Sequence, residues 1–388
     1  MMRSFVYIYL LHREEALGLN IGRRSKVNSK LVGGVVGLVM ASGAQAQSSV
    51  TLYGVIDDGL TYVSNVGGAH VYKMDDSVSQ GNRFGFKGVE DLGGGLKAVF
   101  DLEGGFNPNT GASRQGGLEF GRLAFVGLSS GQYGTVTLGR QYDQMTTTLL
   151  RFHSGLNTVG IYNLNPGDQD RISGEWLDNM VTYTSPDLAG LKFSGQYSFN
   201  SQSAPTTNYG HAYSFGANYV RGPFSAGAAM TDIHDYFFSP GSSLGVSEFF
   251  GNTLASSSAT VAVKEFRTAG VGAGWDFGKL YLSSVYTNTY FDSGRATQTL
   301  QSLNAAARYS LRPDLYAAGG YTYSKTASSK WNLFAMTIDY LLSKRTDVYV
   351  SANYETAAGD GTRADLVTLG ASSNDKQLAL RVGMRHRF

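Results

Sequence analysis

Alternation is the feature that most limits what this chain can fold into. Leu96, Ala98, Phe100 and Leu102 fall on one face of a segment whose other face carries Lys97, Asp101 and Glu103, with Val99 the one exception. Period-two patterning marks a strand whose two faces meet different surroundings. A charged face lining water and an apolar face against lipid describe a water-filled barrel set in a membrane. The last segment repeats the pattern. Leu378, Leu380, Val382, Met384 and Phe388 share one parity, and Arg381, Arg385 and Arg387 share the other.

Sixteen such strands are expected, from 50–62 and 83–89 through 119–128 and 134–139 to 346–354 and 377–388. An even number suits a closed single-chain antiparallel barrel. The connections fall into two classes. Tight ones at 91–94, 185–190, 221–222, 276–279, 312–314 and 343–345 are rich in Gly, Pro and Asp, the residues that hairpin turns demand. Long ones run over 107–118, 141–178, 235–260 and 355–376. Short turns at the periplasmic end and long loops at the outer end give this asymmetry.

Composition fits the same reading. The chain holds 50 Gly, 24 Tyr and 21 Phe but only 7 Pro, which suits twisted strands with aromatic bands. Mean hydropathy is slightly below zero, as expected when only alternate residues face lipid. The absence of cysteine excludes disulfides, thiolate metal sites and cysteine nucleophiles.

The apolar run 31–40 is too short for a membrane helix, which needs about 20 residues. It follows Arg23, Arg24, Lys26 and Lys30 and precedes Ala44-Gln45-Ala46. Residues 1–46 are therefore read as a signal peptide cleaved after Ala46, with an over-extended N-terminus ahead of a start near Val27. Residues 47–388 form the barrel domain. Removing residues 1–46 leaves 26 basic and 28 acidic side chains, and no basic stripe for nucleic acid survives.

Several motifs carry a family resemblance. Residues Ser48-Ser49-Val50-Thr51-Leu52-Tyr53-Gly54-Val55-Ile56-Asp57 resemble the first strand of β-proteobacterial trimeric general porins. Asn82-Arg83-Phe84-Gly85-Phe86-Lys87-Gly88-Val89-Glu90-Asp91-Leu92-Gly93 is similar to their second strand and turn. Phe120-Gly121-Arg122-Leu123-Ala124-Phe125, then Tyr133-Gly134-Thr135-Val136-Thr137-Leu138-Gly139-Arg140-Gln141-Tyr142-Asp143, and finally Arg385-His386-Arg387-Phe388, follow in the family's order. The resemblance implies a sixteen-stranded barrel that assembles as a homotrimer in the cell outer membrane. It implies a third outer loop, here about 141–178, folded into the lumen at the narrowest point. Outer-membrane lipid, lipopolysaccharide and the assembly machinery that reads a terminal Phe388 are the implied partners. Ions and small hydrophilic solutes are the cargo.

Parity nominates the basic wall of the pore. Arg83 and Lys87 lie opposite Phe84 and Phe86, and Lys97 shares its face with Asp101 and Glu103. Arg122 has the opposite parity to Leu123 and Phe125, read here as lipid-facing. Arg140 shares parity with Val136 and Leu138, so either Gly139 breaks the strand or Arg140 belongs to the loop; the resemblance favours an inward Arg140. Arginine suits such a wall because it stays charged at any physiological pH. The loop supplies Asp143, Asp168, Asp170, Glu175 and Asp178 as acids, with Arg171 as a further cation. Trp176 stands where the family often has a basic residue. It could pack the loop against the wall or offer a solute a stacking face.

Three functions remain open at this stage. The first is a general diffusion porin with no cofactor and no catalytic residue, with a mild anion preference. The second is a solute-selective channel using Trp176, Tyr142 and Tyr162. The third is an outer-membrane barrel enzyme. That would need a nucleophile beside a base, and His153, His211 and His234 show no such setting in sequence.

Overall fold

The computed structural model describes residues 49–158, 160–199, 210–327 and 329–388. The expected signal peptide lies outside the described residues. The first strands are β1 (Ser49–Val66), β2 (Ala69–Asp76), β3 (Arg83–Gly93), β4 (Leu96–Gly105), β5 (Leu123–Ser130) and β6 (Gly134–Tyr142). Then come β7 (Trp176–Thr184), β8 (Leu191–Ser198), β9 (Ala212–Arg221) and β10 (Phe224–Phe238), and a two-residue hairpin of β11 (Glu248–Phe249) and β12 (Asn252–Thr253). The wall continues through β13 (Val261–Asp276), β14 (Leu280–Asp292), β15 (Thr297–Arg312) and β16 (Leu315–Thr326). It ends with β17 (Ser329–Leu341), β18 (Thr346–Ala358) and β19 (Lys376–Arg387).

Each wall strand pairs antiparallel with its neighbours, and β1 pairs with β19 from Val55↔Arg387 to Val63↔Ala379, closing the cylinder. The barrel has sixteen wall positions, because β2 and β3 share one. The first half of β1 pairs with β3 and its second half with β2. Ala69–Asp76 is a strand the sequence reading lacks. Among the described residues, closure leaves the wall no free sheet edge, as lipid requires.

Strand faces obey the alternation. On β17, Phe334, Met336, Ile338 and Tyr340 are exposed, while Leu333, Ala335, Thr337 and Asp339 between them are buried inside. On β19, Leu380, Val382 and Met384 point outward and Arg381 and Arg385 inward. The tight turns after β3, β7, β9, β13, β15 and β17 share the end where β1 begins and β19 finishes. The four long loops stand at the opposite end.

The loops after β10 and β18 fold into the barrel mouth. Leu244, Val246 and Phe249, from the loop after β10, pack with Phe238, Phe266, Phe291, Leu300 and Trp331 of the inner wall. Leu366 and Leu369, from the loop after β18, pack on Val63, Leu333 and Tyr349. The Arg363 amide donates to the Gly245 carbonyl at 3.0 Å, which ties these two loops together.

Candidate pore constriction

Residues 143–175 cross the lumen as a series of short helical turns. Met145, Leu149, Phe152 and Ile172 are fully buried against Ala229 and Val285 of the inner wall. The wall makes room by lacking side chains. A Cβ on inward Gly216 would lie 2.6 Å from the Gln144 side chain, and one on Gly272 would lie 2.6 Å from the Phe152 ring. The expected inward fold of this loop is what the structure shows. Its far end reaches β1 and β2, where the Tyr162 hydroxyl donates to Asp75 and meets Thr61 Oγ1 at 3.3 Å.

The basic wall stands beside the base of the loop, where Arg122 Nη2 donates to the Tyr142 hydroxyl at 2.5 Å. Arg83 Nε lies 3.2 Å from Glu103 Oε2, and Arg122 Nε donates to Glu103 Oε1 at 2.6 Å. One carboxylate thus holds two guanidinium groups. Lys87 Nζ sits 5.6 Å from the Tyr53 ring centre, and the Tyr53 hydroxyl donates to Asp101 at 2.7 Å. Lys97 is half-buried, on the same face of β4 as Asp101 and Glu103. On β19, Arg385 Nη2 lies 3.0 Å from Asp347 and 3.3 Å from Asp339, and Arg381 donates to the Tyr349 hydroxyl at 2.8 Å. The alternation at the end of the chain sets Arg381 and Arg385 opposite the apolar residues of that strand.

Arg122 reaches this cluster by a route other than the expected one. The register pairs Leu123 with Glu103 and Phe125 with Asp101, so both belong to the lumenal parity. Val126 and Leu128 are the exposed, lipid-side residues. β5 starts only at Leu123, and Arg122 precedes it in a turn that is free of the alternation. Arg140 lies within β6, which runs unbroken to Tyr142, and it pairs with Ala124 in the same register that pairs Leu138 with Val126. Gly139 has φ +129°, and the pairing of β6 with β7 slips between Gly139 and Gln141. The Arg140 side chain pairs with Asp178 and donates to the Gly121 carbonyl at 2.7 Å.

The loop acids are divided in their surroundings. Asp143 is wholly buried, accepting from Arg171 Nε at 2.6 Å, so this pair braces the loop internally and neither side chain faces open water. Asp170 is 1% exposed and accepts from Thr287 Oγ1 at 2.8 Å, fastening the loop to β14. Burial pushes the Asp170 carboxyl up, an effect that nearby His153 opposes. Burial in turn pushes the His153 imidazole down. Asp168 is half-exposed and accepts from the Ser173 amide, and Glu175 is exposed. Trp176 is half-buried, with the Arg122 guanidinium 5.2 Å and the Arg140 guanidinium 5.8 Å from its ring centre. Both cations already occupy its surroundings, so it packs the loop base rather than presenting a bare face.

Comparison with known proteins agrees with this geometry. A family model described as Gram-negative porin matches residues 34–360. An outer membrane porin protein of Bordetella pertussis is 28% identical, covering 90% of this chain and 96% of its own length. Outer membrane porin protein 32 of Delftia acidovorans is 30% identical, with 90% and 97% coverage. Among solved structures, the anion-selective porin from Comamonas acidovorans superposes with a TM-score of 0.73 at 25% identity. That match spans 88% of this chain and all of the other.

Proposed function

This chain belongs to the Gram-negative porin family, and we propose that its pore favours anions through the wall that carries Arg83, Lys87, Lys97 and Arg122. It is an outer-membrane porin, a water-filled barrel for passive passage of ions and small hydrophilic solutes. The carrying observation for its selectivity is the trio of Arg83, Glu103 and Arg122: two permanent cations share one acid, beside a loop whose Asp143 and Asp170 are buried. A net positive wall in a low-dielectric channel raises the local anion concentration. The anion-selective Comamonas porin named above is of the same fold. Arg140, Asp168, Glu175 and Trp176 complete the rim.

We read the channel as one that works without catalysis. His153 is fully buried, with Nδ1 accepting from the Gly155 amide and Nε2 beside Asn165, and so it offers no base to a nucleophile. His211 and His234 stack on each other with ring centres 4.4 Å apart. We assign residues 1–46 to an export signal and the mature assembly to a homotrimer. Exposed Val50, Leu52 and Leu60 of β1, with a recess lined by Phe100, Leu102, Val126 and Leu138, are apolar surfaces for lipid or a second copy. Phe388 seals the seam: its amide donates to the Gly54 carbonyl at 3.1 Å, and Gly54 returns the bond at 3.0 Å. That position suits a residue read during assembly.

The test is double reversal of Arg83 and Arg122 to Glu, with zero-current potential measured in a salt gradient. The account expects a shift toward cation preference, and an unchanged potential would remove both residues from the selective region.

A further inference from the structure

The break in the second wall strand carries more than a connection. Val55 pairs with Arg83 and Asp58 with Asp76, so only Ile56 and Asp57 on β1 face a six-residue excursion, residues 77–82. The excursion folds inward. Val78 is 2% exposed among inner-wall side chains, while Ser79, Gln80 and Gly81 stay half-exposed.

This turn is firmly built. Buried Asp57 accepts from the Ser79 amide at 2.6 Å, the Gln80 amide at 3.2 Å and the Tyr349 hydroxyl at 2.6 Å. Its own amide donates to Asn82 Oδ1 at 2.5 Å, and Asn82 Nδ2 donates to Asp76 at 2.8 Å. A buried carboxylate satisfied by two amides and a hydroxyl fixes the backbone around it.

What the turn touches gives it a role. Arg385 Nη1 donates to Ser79 Oγ at 2.9 Å and Arg83 Nη1 to the Gly81 carbonyl at 2.8 Å. A Cβ on Gly81 would lie 3.1 Å from Arg122 Nη1. On its other side the Val78 carbonyl accepts from the Ile161 amide, at the far end of the lumen-crossing loop, at 2.8 Å. Three arginines from three parts of the chain and the loop tip therefore meet on one short segment.

We propose that residues 77–82 form a third side of the constriction, and that Gly81 is a specificity position in contact with permeating small oxyanions and halides. Half-exposed Gly81 sits against the Arg83 and Arg122 guanidinium groups, whose side chains remain 11% and 13% exposed. A charge placed there acts directly on the ion path. The proposal deepens the anion-channel reading and rests on it for the sign of the wild-type preference.

The chain's lack of cysteine makes the test clean, since Gly81→Cys introduces a single thiol. Gly81 is outside the left-handed backbone region, so a side chain there adds no backbone strain, and the flexible Arg122 side chain, 3.1 Å from the new Cβ, has to give by a few tenths of an ångström. Folded channels would be modified from the aqueous side with methanethiosulfonate reagents of matched size, one ending in sulfonate and one in trimethylammonium. The sulfonate adduct is expected to lower the anion-to-cation permeability ratio by about threefold and the ammonium adduct to raise it, since one unit charge acts within a few ångströms of the ion. Gln80→Cys serves the same purpose if Gly81→Cys fails to fold. A thiol that stays unmodified in the folded channel, or two adducts that shift the ratio equally, would overturn the proposal. Opposite shifts on a wild-type background without anion preference would keep this turn in the constriction and refute only the anion reading.

Discussion

Glu103→Gln isolates the electrostatic core of the constriction. Glu103 lies 3.2 Å from Arg83 and 2.6 Å from Arg122, so the three side chains together carry one net positive charge. The amide keeps the shape and one accepting oxygen while raising that charge to two. For an anion passing about 6 Å away, one unit charge is worth ~0.7 kcal/mol in water. A Debye length of about 10 Å in 0.1 M salt trims this to ~0.4 kcal/mol. Anion occupancy then rises about twofold and cation occupancy falls by the same factor, so the permeability ratio rises about fourfold. The assay is the zero-current potential across a planar bilayer holding a tenfold KCl gradient. A ratio that is unchanged, or that moves toward cations, would refute the claim that Glu103 offsets two pore-lining arginines.

Other perturbations probe the loops and the seam. Deleting residues 155–167 is expected to raise unitary conductance, and no change would mean that the lumen-crossing loop does not narrow the pore. Gly272→Leu should force Phe152 off the inner wall, since a Cβ there already lies 2.6 Å from the ring; the expected result is a lower and noisier conductance. Asp365, in the loop after β18, is pushed up to about 7 by burial. A carboxyl raised in this way favours the docked loop in full below about pH 4, its ordinary value, and loses that contribution progressively as pH climbs to about 7. Channel gating should therefore increase between about pH 4 and 7 in the wild type and depend on pH less steeply in Asp365→Asn, as conductance traces across pH would show. Removing Phe388 breaks two hydrogen bonds at the β1–β19 seam and should cut the yield of folded barrel several-fold, read by heat-modifiable gel migration.

The sequence read most clearly where one period governs many residues. Alternation placed Arg83 and Lys87 on the inner face and set Arg381 and Arg385 opposite the apolar residues of the last strand, because a strand has only two faces. It misread Arg122, since the rule was carried past the true start of β5 into a turn. It also missed β2, where Tyr72 and Met74 alternate with Lys73 and Asp75 but the run is short and ends at the inward excursion. Whether a loop acid faces water or an internal partner is a tertiary fact. Asp143 and Arg171 are 28 residues apart in sequence, and no local pattern ties them together. A usable signal existed for the loops. Leu244, Val246 and Phe249 are too apolar for a solvated loop, and inward-parity Gly216, Gly270 and Gly272 leave space on the wall that something must fill.

The most direct test of the account is a recording of purified, folded protein in a planar bilayer under a salt gradient. The account predicts stepwise conductance increments and a zero-current potential of the sign set by anions. Silence from verified folded protein would contradict the channel itself, and a potential set by cations would contradict the role given to the arginine wall.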